Sequence, residues 1–105
     1  MTRRVRANAD FDRDLAGQID FLIREERPSW VDLLLGDIRE LETMLGEFPG
    51  AGHVVEANAG REVRRIQLRH VPFRAWYRIE PADPSAPVDL LRLLHVRQRS
   101  DRPPV

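Results

Sequence analysis

The sequence predicts an α+β domain in the order β-α-α-β-β-β, an N-terminal helical hairpin packed on a small antiparallel sheet. Three observations carry that expectation. Two stretches in the first half repeat apolar residues at helical spacing, and only a short turn separates them. The second half alternates apolar and polar residues with a period of two. Glycine and proline cluster between these stretches, at Pro49-Gly50, Gly60 and Pro81 to Pro87.

Arg3 to Ala7 reads as a short first strand. Asn8 or Asp10 is placed to cap a first helix, in which Phe11, Leu15, Ile19, Leu22 and Ile23 form one stripe. Asp12, Arg13, Asp20, Arg24 and Glu25 occupy the opposite side. Pro28 stops that run and suits the first turn of a second helix. There Trp30, Leu33, Leu34, Ile38, Leu41 and Leu45 form the stripe, Gly46 marks the expected stop, and Phe48-Pro49-Gly50 leads out.

Asn58-Ala59-Gly60 is a turn signal. Arg61 to Val71 then reads as a strand, with Ile66, Leu68 and His70 on one face and Arg65, Gln67 and Arg69 on the other. Past Pro72, Phe73, Ala75, Tyr77 and Ile79 face one way, and Arg74, Trp76 and Arg78 the other. The prolines at 81, 84 and 87 interrupt any ladder. Val88 to His95 is almost wholly apolar, as suits an interior strand covered on both faces. The whole chain, 1–105, reads as one domain whose tail, 98–105, is irregular.

The 17 basic and 17 acidic residues cancel, and every basic residue is arginine. Neutrality conceals a division. Met1 to Gly52 holds 7 arginines against 11 acidic residues; His53 to Val105 holds 10 against 6. Arg65, Arg69, Arg74, Trp76, Arg78 and Arg97 are therefore candidates for gripping a polyanion or an acidic partner, since guanidinium groups bind phosphate and carboxylate bidentately and an indole can stack. No cysteine is present, which excludes disulfides, thiolate metal sites and a cysteine nucleophile. His53, His70 and His95 are too far apart in sequence to suggest a metal cluster. No cofactor motif occurs. No membrane-spanning run or signal-peptide core is evident, so a cytoplasmic location is expected.

The stretch Arg65-Ile66-Gln67-Leu68, then Pro72-Phe73-Arg74-Ala75-Trp76-Tyr77-Arg78-Ile79, and last Leu90-Leu91-Arg92-Leu93-Leu94-His95-Val96-Arg97-Gln98, resembles the RelE/ParE superfamily of bacterial toxins, in order along nearly the whole chain. The resemblance implies a growth-inhibiting, plasmid-stabilising toxin of a type II toxin-antitoxin system, held inactive by a cognate antitoxin with an acidic, amphipathic segment. One branch of the superfamily cleaves messenger RNA on the ribosome; the ParE-like branch acts on DNA gyrase. By strand position Arg65, Arg74 and Arg97 fall where the RNA-cleaving branch keeps basic residues, and His95 would be its proton carrier. Gln67 stands where that branch can carry lysine, and Pro103 stands about where its C-terminal tyrosine would be. Arginine stays protonated near neutrality and cannot shuttle protons, so proton transfer falls to His95 or to no residue. The ParE-like branch is favoured on these grounds.

Overall fold

The structure is a computed structural model and describes residues 2–97. The irregular tail expected at 98–105 lies outside them. The elements are β1 (Val5–Ala7), α1 (Ala9–Arg24), α2 (Ser29–Glu47), β2 (His53–Asn58), β3 (Arg61–Gln67), β4 (Phe73–Ile79) and β5 (Val88–His95). The five strands form one sheet ordered β1-β5-β4-β3-β2, and the buried side of the helical hairpin packs on one face of it. The α+β class and the helical hairpin match the sequence-based expectation, and the sheet carries two features beyond it. A further edge strand, β2, pairs with β3 around the Ala59-Gly60 turn, whose φ values are 52° and 80°. β1 lies parallel to β5, with Val5 opposite Val88, so the sheet is mixed rather than wholly antiparallel.

Both helices begin and end for local reasons. The Asn8 Oδ1 accepts from the Phe11 amide at 2.8 Å, an N-cap for α1. α1 stops where Glu26 enters the left-handed region at φ 56°, with the Arg27 amide bonding the Leu22 carbonyl and the Glu26 amide that of Ile23. Phe11 and Leu22 are buried and Leu15 and Ile19 pack beside them, but Ile23 is exposed. In α2 the residues Leu34, Ile38, Leu41 and Leu45 enter the core, while Leu33 stays exposed. Gly46 does not end α2, which continues to Glu47. It instead lets the N-terminal segment approach: the Arg3 amide bonds its carbonyl at 2.7 Å, and a Cβ there would stand 3.0 Å from the Arg3 carbonyl oxygen.

Sheet alternation assigns the faces. Phe73, Ala75, Tyr77 and Ile79 of β4, with Val88, Leu90 and Leu93 of β5, are buried toward the helices. Tyr77 ties the core to the exit from α2. Its hydroxyl donates to the Pro49 carbonyl and accepts from the Gly52 amide, both at 2.8 Å. Burial pushes its phenol above the ordinary value of 10.0. Gly52 is obligatory here, because a Cβ would lie 2.8 Å from both the Arg65 carbonyl and the Tyr77 hydroxyl. β3 ends at Gln67, short of the expected Val71. Leu68 and Val71 still reach the core, but His70 leaves the strand and faces α2, where Asp37 accepts from its amide at 2.6 Å and from that of Val71 at 3.3 Å.

Tyr77→Phe leaves the buried Gly52 amide without its acceptor. It should lower unfolding stability by about 1–3 kcal/mol in urea denaturation, with the denaturant slope unchanged.

Candidate functional site

The face of the sheet turned away from the helical core is the basic one. Cross-strand register brings Arg65 opposite Trp76, Trp76 opposite Arg92, Gln67 opposite Arg74, and Arg74 opposite Leu94. Four elements thus contribute to it: Arg65 and Gln67 from β3, Arg74, Trp76 and Arg78 from β4, Arg92 and Leu94 from β5, and Arg6 from β1, opposite Asp89. Asp89 neutralises part of this face, accepting from Arg6 at 2.9 Å and lying 3.4 Å from Arg78. No carboxylate pairs with Arg65 or Arg74 among the described residues, so these two cations present the face with uncompensated charge. Trp76 is only 2% exposed, so its ring is not open for stacking on a base.

Other arginines of the dense stretch serve elsewhere. Arg64 points to the helix side and holds the α2 exit, donating to the Gly50 and Gly52 carbonyls at 2.9 and 2.7 Å and to Glu62 at 2.8 Å. Arg61 pairs with Glu80, and Arg69 stands 4.0 Å from Glu40 of α2. Of the six predicted partner-binding residues, Arg65, Arg74, Trp76 and Arg78 share the basic face. Arg69 is turned to α2, and Arg97 follows the end of β5.

A groove of about 840 Å³ opens beside that face, between α1 and the carboxyl end of β5. Phe21, Trp30 and Leu94 supply its apolar lining, and Arg24, Arg27 and Arg97 its positive rim. Arg27 lies 4.5 Å over the Trp30 ring, a cation–π contact. α1 is fastened to β5 here by two polar side chains. The Asp14 carboxylate accepts from Arg92 Nε at 2.7 Å, from Arg92 Nη2 at 3.2 Å and from the Leu93 amide at 2.9 Å. The buried Gln18 donates to the Leu93 carbonyl at 3.2 Å. Asp14 also raises the Arg92 pKa above its ordinary value, chiefly through this hydrogen bond.

Sequence reasoning passed over Asp14, Gln18 and Arg92 as functional residues. Their only signal was a pair of hydrogen-bonding side chains four residues apart, bordering the apolar stripe of α1.

His95 occupies the groove but not the arginine face. It stands opposite Phe73, on the helix side of the sheet, with ring centroids 5.3 Å from Phe73 and 6.1 Å from Phe21, both edge-on. Its Nδ1 accepts from the Arg97 amide at 3.0 Å, so the neutral ring carries its proton on Nε2. Burial, and to a smaller extent the Arg97 charge, push the imidazole below its ordinary 6.5. The four residues predicted for RNA cleavage are therefore divided by the sheet. Arg65 and Arg74 lie on one face, and His95, with Arg97 just after it, lies by the groove.

With this geometry in place, a family-wide sequence model identifies the lineage. The sequence model of the ParE toxin of type II toxin-antitoxin systems, parDE, matches residues 5–100. The chain belongs to the ParE toxin family. As a member of that family it is a toxin of the type II toxin-antitoxin class. Its fold is similar to that in a chromosomal ParDE system from P. aeruginosa, with TM-score 0.68 and 22% identity over 91% of this chain and 98% of that one. It is also similar to a chain of an archaeal RelE-RelB complex from Pyrococcus horikoshii OT3, with TM-score 0.50 and 19% identity over 94% of this chain and 100% of the other. No curated protein matches it by sequence. No helix of the described part of this ParE-family chain is long and apolar enough to cross a membrane.

Two outcomes follow from the site. Asp14→Asn should cost about 1.5–3 kcal/mol of stability, because it weakens a charge-assisted contact and a strand-edge amide bond together. In an NMR titration, His95 should show a midpoint below 6.5 that Arg97→Ala raises only in part, since burial is the larger cause. The sign follows from linkage. A histidine harder to protonate in the folded state contributes stability above its unfolded pKa of about 6.5 and loses it as pH falls through the lower folded value.

Proposed function

We propose that this ParE-family toxin acts by binding rather than by cleavage, that its target is DNA gyrase in the cytoplasm, and that a cognate antitoxin neutralises it. The observation that carries this reading is the separation of His95 from Arg65 and Arg74. Cleavage of RNA through the 2′-hydroxyl requires a proton acceptor beside the groups that stabilise the developing phosphorane. His95 stands on the opposite side of the sheet from Arg65 and Arg74, with its Nδ1 lone pair engaged by the Arg97 amide. The remaining cations are guanidinium groups, which hold anions without exchanging protons.

The antitoxin reading is supported by charge and by relatives. Arg65, Arg74 and Arg78 on the sheet, and Arg97 on the groove rim, suit a segment rich in carboxylates, and Phe21 and Leu94 suit its apolar side chains. Two of the solved structures with a similar fold are a ParDE system and a RelE-RelB complex. Growth inhibition and plasmid stabilisation would follow from release of the toxin when its antitoxin is lost.

The purified toxin should abolish gyrase supercoiling and leave messenger RNA intact on translating ribosomes. Cut messenger RNA with unaffected supercoiling would overturn the reading. Replacing both Arg65 and Arg74 with alanine should weaken gyrase inhibition by roughly tenfold or more, the loss expected for one or two charge-assisted contacts, with the circular dichroism spectrum unchanged.

A further inference from the structure

Asp37 is the one buried carboxylate of the helical hairpin, its side chain 1% exposed, and neither the toxin's basic face nor its groove uses it. Its Oδ2 accepts from the His70 and Val71 amides, which fixes the carboxylate's orientation. Its Oδ1 then lies 2.6 Å from His70 Nδ1. Glu40, one helical turn further along α2 and largely exposed, brings a second carboxylate to the same place. One ligand atom from each of Asp37, Glu40 and His70 lies within 4.8 Å of the others.

We propose that Asp37, Glu40 and His70 form a binding site for a divalent transition-metal cation of the zinc type, spanning α2 and the β3–β4 connection. An imidazole nitrogen with two carboxylates favours zinc over magnesium, which prefers oxygen and water, and three protein ligands leave a fourth position for water. The backbone amides on Asp37 Oδ2 supply the outer hydrogen bonds that aim a ligating carboxylate. The cation takes the place of the proton between Asp37 Oδ1 and His70 Nδ1, and the neutral imidazole then carries its one proton on Nε2. Two ligands of a tetrahedral zinc stand about 3.3 Å apart, so the pair must open from its hydrogen-bonded spacing. His70 can make that movement because its side chain is half exposed and follows the end of β3. Arg69, 4.0 Å from Glu40 and mostly exposed, contests the site only weakly.

Isothermal titration of the full chain with zinc chloride, with thermal unfolding measured with and without the metal, tests this. The expected result is one ion bound per chain, a raised Tm, and no response to magnesium. Glu40→Gln, at an exposed position that leaves the fold intact, and His70→Asn should each weaken binding by roughly tenfold or more. Absence of zinc binding, or binding at the original strength in both variants (zinc then held by His53 or His95), would overturn the proposal.

Discussion

The structure depends on how β5 is finished beyond the reach of β1. β1 is only three residues long, and its pairing with β5 ends at Ala7 and Leu90. The backbone of Leu93 therefore arrives at the sheet edge with a donor and an acceptor and no neighbouring strand. Leaving both unpaired in a buried setting would be costly. Asp14 and Gln18 satisfy them from α1, in place of a strand. That substitution seats α1 along the edge and holds the Arg92 guanidinium at the margin of the basic face. It also forms one wall of the groove. The helical hairpin is thus joined to the sheet by polar bonds at its border as well as by apolar packing beneath it.

A second constraint comes from the register shift between β4 and β5. Trp76 faces Arg92 whereas Tyr77 faces Leu90, so Leu91 is an extra residue on β5. The bulge explains why Val88 to His95 breaks strict alternation while its flanks still alternate. It also decides which chemistry can meet. Residues on either side keep their faces, with Phe73 and His95 turned to the helices and Arg74 and Leu94 turned away. The sheet thickness then separates the imidazole from the two uncompensated guanidinium groups.

Much of this was legible in the chain itself. The helices announce themselves because their packing faces are continuous stripes, and β4 because Phe73, Ala75, Tyr77 and Ile79 recur at every second residue. β2 was not legible. It is an exposed edge strand with a register irregularity between Val54 and Glu56, so it lacks the period-two signature of a half-buried strand. Gly46 misled because glycine has two uses, ending helices and admitting close neighbours, and only the folded chain shows Arg3 against it. The basic face was visible as a cluster of arginines. What could not be read was which of them are engaged: Arg64 by the α2 exit, Arg92 by Asp14, and Arg78 in part by an Asp89 that it shares with Arg6. The Asp37–His70 pair was hidden for a simpler reason, since 33 residues separate its members and no local pattern links them.

The division of charge between the two layers has a kinetic meaning. Asp10, Asp12, Asp20, Glu40 and Glu42 are exposed on the helices, while Arg65 and Arg74 present their charge from the far face of the sheet. A molecule with zero net charge then still carries a substantial dipole moment. In the field of an anionic surface such a dipole experiences a torque but little net pull, so it turns its sheet forward before it touches. Encounter with such a surface is thereby biased toward the sheet face, and the bias fades as added salt shortens the reach of the field.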